Sequence, residues 1–306
     1  MITPILKIEN LSHRYSVKWA VKDVNLEIAN RGIYGLLGAN GAGKSTIMNI
    51  ACGVLKQTDG TIEICGVDTI KDSVHSRTKI GFLPQQPPLQ KELTVMEFLT
   101  LSAKLRMIPD KEIRQAIKDV LDICNLEPMK DRLISNLSGG FQQRVGIAQA
   151  IIHKPEVVIF DEPTNGLDPN QILDIRSLIR DIAKERTVIL STHILSEVQA
   201  ICEKIIMIDQ GSIVFNGSVE DFNNYISPDS IFVSLAAMPA VELLEKIPGV
   251  IEATSISDSE YRVRSKDTKS VIKEIVRLSV ENNWDLEEIY YEHTSMNDVF
   301  ALLSNN

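Results

Sequence analysis

The sequence predicts an α/β fold: a mostly parallel sheet covered by helices, a helical insert, and a small C-terminal α+β unit of ferredoxin-like type. Three observations predict it. Short apolar runs alternate with helical stretches through most of the chain, the pattern of parallel strands joined by crossover helices. A glycine-rich loop joins one such run, Ile33–Leu37, to a helix that begins around Ile47. Beyond about residue 225 the order becomes strand, helix, strand, strand, helix, strand, which is the split βαββαβ arrangement.

Taken in order, Leu6–Glu9, Val21–Ile28 and Ile33–Leu37 read as early strands, with Asn30-Arg31-Gly32 as a turn between the last two. Thr61–Ile64 and Ile80–Leu83 are short strands on either side of a polar loop. From Thr94 to Asn125 the apolar spacing becomes helical: Val95, Phe98, Leu99 and Leu101, then Ile113, Ile117, Val120 and Leu121, with Pro109-Asp110 between. This insert, about residues 86–136, interrupts the core. Ser138–Ile152 then reads as helix, Val157–Phe160 as strand, Gln171–Lys184 as helix, and Thr187–Leu190 and Ile205–Ile208 as strands. Asn, Ser, Asp, Gly and Pro cluster over Asn216–Ser230, so a boundary is expected near 225, dividing 1–225 from 226–306. The second part reads as strand Ile231–Leu235, helix Val241–Lys246, strands Val250–Ile256 and Tyr261–Arg264, helix Thr268–Val280, strand Leu286–Tyr291 and helix Met296–Leu303. Val271, Ile272, Ile275, Leu278 and Ser279 would form the inner face of its long helix.

With 306 residues, 44% hydrophobic and 24% charged, the chain has the composition of a soluble globular protein. Its net charge of −9 argues against a nucleic-acid partner, since phosphate backbones require a basic surface. Cys52, Cys65, Cys124 and Cys202 are scattered without a CxxC pair, which fits free thiols in a reducing cytosol. Met1-Ile2-Thr3-Pro4-Ile5 lacks the features of a signal peptide, and there is no apolar run long enough to span a bilayer. A cytoplasmic protein is expected.

Gly38-Ala39-Asn40-Gly41-Ala42-Gly43-Lys44-Ser45-Thr46 fits the GxxxxGK[ST] pattern in its required setting of strand, loop and helix. Glycines let successive backbone N–H groups curl around an anion, and the helix N-terminus behind them adds partial positive charge. Lys44 can reach the β- and γ-phosphates of a nucleotide and Ser45 can ligate Mg²⁺. The plain alternative is a capped glycine turn. Val157–Phe160 ends in Asp161-Glu162-Pro163, placing two carboxylates where ligands sit in a parallel α/β sheet. Asp161 suits Mg²⁺, through water, and Glu162 could polarise an attacking water; a solvated acidic turn is the alternative. Ser138 is placed to cap a helix whose first turn holds Gly139 and Gly140, leaving N–H groups bare for a further phosphate. One chain cannot easily bring both cradles to one nucleotide. A head-to-tail dimer can, each copy's Ser138–Gly140 closing on ATP held by the other's Gly38–Thr46; the alternative is a capped helix without ligand.

GANGAGKST, LSGGFQQR, VVIFDEP, GLDP and STH occur along the chain in that order. Over about residues 5–222 the chain thereby resembles the ATP-binding subunits of ABC transporters, which are P-loop NTPases. The resemblance implies further roles. Gln85 would ligate Mg²⁺ and signal to the insert, Asp168 would cross the dimer interface, His193 would contact the γ-phosphate, and Tyr15 would stack on adenine. Read alone, these are a strand-end glutamine, a helix cap, a structural histidine and a half-buried aromatic. Phe141 departs from the glutamine common at its position, so no side-chain contact is assigned to it. His13, His75, His153 and His293 carry no motif and read as surface or packing residues.

The reaction implied is phosphoryl transfer from ATP to water, with ATP and Mg²⁺ bound. Glu162, His193 and Gln85 would form the catalytic set, and Ser45, Gln85 and Asp161 the metal set. The resemblance also implies separate transmembrane permease subunits, docked on residues 86–110 and the insert, and a peripheral place on the cytoplasmic face of the membrane. Thr294–Phe300 resembles the tail of exporter-type (ABC-2) motor subunits. The alternatives are a soluble ABC-type ATPase acting on ribosomes or DNA, disfavoured by the single ATPase half and acidic balance, and a nucleotide sensor without hydrolysis.

Overall fold

The computed structural model describes residues 3–226, 229–236, 241–257, 259–292 and 295–304. Its contacts divide the chain into two units, Met1–Val219 and Glu220–Asn306.

The first unit begins with a hairpin, β1 (Leu6–Tyr15) and β2 (Lys18–Ile28), then β3 (Ile33–Leu37), α1 (Lys44–Ala51), β4 (Asp59–Ile64), β5 (Val67–Asp68), α2 (Ser73–Lys79) and β6 (Ile80–Leu83). The insert supplies α3 (Val95–Leu105) and α4 (Asp110–Ile123). There follow α5 (Gly139–Ile151), β7 (Val157–Asp161), α6 (Pro169–Ala183), β8 (Thr187–Thr192), α7 (Leu195–Ile201), β9 (Lys204–Asp209) and β10 (Ser212–Ser218).

The central sheet runs β10-β9-β3-β8-β7-β6. All its neighbours pair in parallel except β10, which returns antiparallel along β9. β3, β7 and β8 are buried at every position, which is why they read as unbroken apolar runs. Nothing in the strand–helix alternation anticipates the second sheet, an antiparallel one ordered β2-β1-β4-β5. Its strands alternate instead: Leu6, Ile8, Val24, Leu26 and Ile28 face inward while Glu9 and Glu27 face solvent. A common core joins Ile8, Leu11 and Ile62 of this sheet to Ile47, Met48 and Ile50 of α1 and to Leu36, Ile159 and Ile189 of the central sheet. α1 is therefore gripped from both sides, and so is the loop that leads into it.

The insert is pinned by a capping box: Thr94 Oγ1 accepts from the Glu97 amide at 3.2 Å, and Glu97 Oε2 accepts from the Thr94 amide at 2.8 Å. Ile113, Ala116, Ile117, Val120 and Leu121 form the buried stripe of α4.

α8 (Val219–Asn223) spans the division between the units. The second unit continues with β11 (Ser230–Leu235), α9 (Val241–Glu245), β12 (Val250–Ser255), β13 (Glu260–Ser265), α10 (Thr268–Asn282), β14 (Leu286–Glu292) and α11 (Met296–Leu303). Its sheet is ordered β12-β13-β11-β14 with antiparallel pairing throughout, the expected βαββαβ weave plus a final helix. Ile231, Val233, Tyr261 and Val263 of the sheet meet Val271 and Ile275 of α10 in its core. The division lies at Val219 rather than near residue 225, because the polar stretch that suggests a linker begins inside β10, still paired to β9. Met1, Ile2, His293 and Thr294 lie outside the described residues.

Candidate nucleotide site

β3 delivers the chain into the loop Gly38–Gly43, and α1 starts at Lys44. Gly43 has φ 114°, a left-handed conformation, and a Cβ there would come within 2.8 Å of the Ala20 carbonyl oxygen. A Cβ on Gly38 would meet the Ile208 carbonyl oxygen at 2.4 Å, so the loop is pressed against β9 too closely for any side chain. Lys44 is 6% exposed, and its Nζ donates to the carbonyls of Gly38 at 2.7 Å and Ala39 at 3.1 Å. Burial lowers its pKa from the ordinary value, while the charges of Glu162 and Asp161 act in the opposite sense.

Asp161, the last residue of β7, is buried. Its Oδ2 accepts from Ser45 Oγ at 3.2 Å and its Oδ1 from Ser191 Oγ. Carboxylate and hydroxyl together are an all-oxygen set at the start of α1, which fits a hard cation such as Mg²⁺. Glu162 turns the other way because its φ is 47°, a strained value for a non-glycine residue. Its amide donates to the Ser191 carbonyl at 3.1 Å. Its carboxylate Oε2 accepts from Gln85 Nε2 at 2.8 Å and Asn165 Nδ2 at 3.2 Å, and His193 Nδ1 donates to Oε1 at 2.8 Å. An ionised carboxylate only accepts, so Nδ1 carries the hydrogen and Nε2 is left for another donor or for a proton.

These groups line a cavity of about 570 Å³. It gathers Tyr15, Asn40, Gly41, Gly43, Lys44, Ser45, Thr46, Gln85, Asp161, Glu162 and His193 from the sequence-based set. Lys18, Trp19, Ala20 and Asn165 also line it and were not anticipated. Tyr15 is 53% exposed and meets His13 edge-on at 4.8 Å, a wet aromatic face at the cavity rather than a core ring. Trp19 lies across the same hairpin, paired in register with Arg14. The signal for it was an aromatic exposed at the start of a strand, and the signal for Asn165 was its place three residues after Glu162.

Ser138, Gly139, Gly140 and Asp168 do not line this cavity. They form a second cluster, in which a Cβ on Gly139 would touch Leu167 at 3.8 Å and one on Gly140 would strike Gln171 at 2.8 Å. Ser138 stands at the N-cap of α5 but its hydroxyl makes no capping hydrogen bond, contrary to expectation; the residue is exposed and the hydroxyl uncommitted. Asp168 caps α6, its Oδ1 accepting from the Gln171 amide at 2.9 Å.

A second cavity, of about 1040 Å³, opens beside the insert. Val54, Val74, Leu105 and Met107 line it, and each is more than half exposed, at 68%, 60%, 73% and 68%. Arg77 and Arg106 line it too, and neither has an ion-pair partner among the described residues. His153 also lines it, its Nε2 donating to the Ile80 carbonyl over 3.0 Å; burial, with Arg106 nearby, pushes its pKa down to about 4. No helix among the described residues is long and apolar enough to cross a membrane.

Residues 21–165 match the family model described as ABC transporter. The chain is 33% identical over 304 residues to the bacitracin transport ATP-binding protein BcrA of Bacillus licheniformis, covering 99% of this chain and 98% of that one. It is 32% identical to the Nod factor export ATP-binding protein I of Ralstonia nicotianae, covering 79% and 76%. Among solved structures it is similar to the dimeric post-hydrolysis state of the ATP-binding cassette MJ0796 bound to ADP and Pi, with TM-score 0.63, 29% identity, and coverage of 70% and 98%. A ribosome- or DNA-acting ATPase has no counterpart among these relatives and is set aside. Loop, paired carboxylates and full-length similarity converge: the chain belongs to the ATP-hydrolysing, ATP-binding subunits of the ABC transporter family.

Proposed function

We propose that two copies of this chain close head to tail around two ATP molecules, and that the closure drives export through separate membrane-spanning subunits. The observation that carries the reading is the Glu162 carboxylate, held by Gln85, Asn165 and His193 at the mouth of the phosphate loop. In this reading the Gly38–Thr46 amides and Lys44 hold the phosphates, and Tyr15 stacks on adenine. Ser138–Gly140 and Asp168 of the second copy complete the site, which is why they stand apart from the cavity of their own chain. Ser45 and Asp161 would hold Mg²⁺, with the Gln85 amide oxygen as a further donor, since its nitrogen is engaged by Glu162. When bound, the ion neutralises charge on the β- and γ-phosphates.

Glu162 orients the attacking water and accepts its proton. His193 keeps that carboxylate in place through Nδ1–H, and with a proton on Nε2 as well it would donate to an oxygen of the γ-phosphate. Positioning and charge neutralisation supply most of the rate enhancement in such transfers. The groove beside the insert, apolar at Val54, Val74, Leu105 and Met107 and cationic at Arg77 and Arg106, is the docking face for a membrane subunit. That subunit would hold the protein at the cytoplasmic face of the membrane, and residues 226–306 would serve as an accessory domain. Export rests on the relatives that act in bacitracin transport and Nod factor export.

Glu162→Gln tests the reading. It should leave nucleotide affinity in place and lower ATP turnover by about 10²-fold or more, measured as phosphate release. Turnover near wild type would remove Glu162 from its role.

A further inference from the structure

Glu197 is a buried carboxylate that takes no part in the nucleotide contacts described above. It lies in the first turn of α7 and is 2% exposed. A charge at that depth is costly unless every oxygen is satisfied. Each has a hydroxyl donor: Oε1 accepts from Thr164 Oγ1, and Oε2 accepts from Thr192 Oγ1 at 2.8 Å. Both threonines are buried, at 6% and 1% exposure. Thr192 Oγ1 also accepts from the Ile194 amide at 3.0 Å, so both sides of its hydroxyl are fixed. Thr164 belongs to the loop that begins at Glu162 and runs through Asn165 to Asp168, and Thr192 immediately precedes His193. A single side chain therefore bolts together the loop of the water-orienting acid and the loop of the histidine that holds it.

We infer that Glu197 is a positioning residue for hydrolysis, setting the distance between Glu162 and His193 through Thr164 and Thr192. The inference rests on the roles given above to Glu162 and His193. A hydrogen-bonded strut of this kind acts on rate through geometry, because small displacements of reacting groups are expensive in rate while leaving ground-state binding alone.

Glu197→Gln preserves size but turns an NH₂ group toward one of the two hydroxyls. On that side the bond to a carboxylate oxygen is lost and the hydroxyl must turn round to accept a weaker, neutral one, which loosens that loop. A companion variant, Glu197→Leu with Thr164→Val and Thr192→Val, removes every polar group of the strut together and leaves none unsatisfied. Both should lower kcat by about 10- to 100-fold while the ATP dissociation constant stays within about twofold of wild type. Wild-type turnover in either variant, or a parallel loss of affinity and turnover in both, overturns the inference. Glu162→Gln measured alongside separates the two levels. If it still hydrolyses ATP, the reading of the site fails and the inference with it; if it is inactive while both Glu197 variants remain fast, only the positioning role fails.

Discussion

Asp161 and Glu162 are adjacent acids with opposite surroundings, and the backbone makes the difference. Asp161 ends a buried strand and meets the hydroxyls of Ser45 and Ser191, whereas Glu162, at φ 47°, swings toward Gln85, Asn165 and His193. The types and spacing of these residues were legible in sequence because the chemistry of phosphate and magnesium admits few alternatives. Trp19 and Lys18 were not legible, since they reach the cavity only through a hairpin whose β1 bulges at Asn10, φ 49°. The same limit hid His153, which carries no motif but is half-buried, with a pKa near 4. Its folded-state value lies below the ordinary value of about 6.5, so the unfolded chain binds the extra proton between those two pH values. Stability is therefore full above pH 6.5 and declines as the pH falls toward 4, by a few kcal/mol at most. Urea titrations at stepped pH should show this decline, and His153→Gln should flatten it; an unchanged slope in the variant would assign the decline to other groups.

At the scale of elements, α5 and β6 are joined by an approach that leaves no room for a side chain. A Cβ on Gly81 would lie 2.1 Å from the Ala150 carbonyl oxygen, a backbone atom that cannot swing away. This contact sets α5, and with it Ser138–Gly140 at its start, against the strand that leads to Gln85. Gly81→Ala should destabilise the protein by about 1–3 kcal/mol through this overpacking, read as a lower urea midpoint at unchanged slope. A midpoint equal to wild type would show that the two elements can part without cost. Long or fully buried elements were legible: β3 and β6 fall where their apolar runs do, and α3 and α4 follow their stripes. α2 and α7 were not. α2 buries only Ser76, so it has no apolar period, and α7 spans seven residues, with Glu197 on its buried face. A buried acid breaks the pattern that would have revealed its helix.

For the whole molecule, the parallel sheet was visible in the alternation of strands and helices, but the antiparallel sheet that grips α1 from the other side was not. Local periodicity says which face of β1 and β4 is apolar; it does not say that they pair with each other across 46 residues of chain or more. The composition shift marked the second unit a few residues late, because β10 is polar on its outer face yet paired. The central claim also belongs to this scale, since the cavity gathers one phosphate cradle while Ser138–Gly140 and Asp168 stand outside it. Glu162→Gln protein, mixed with ATP and Mg²⁺ and followed by light scattering on a sizing column, tests that claim most directly. The mass should shift from the 34.1 kDa of one chain to twice that value on adding ATP–Mg²⁺ and return on its removal; a protein that stays at the single-chain mass with ATP bound would contradict it.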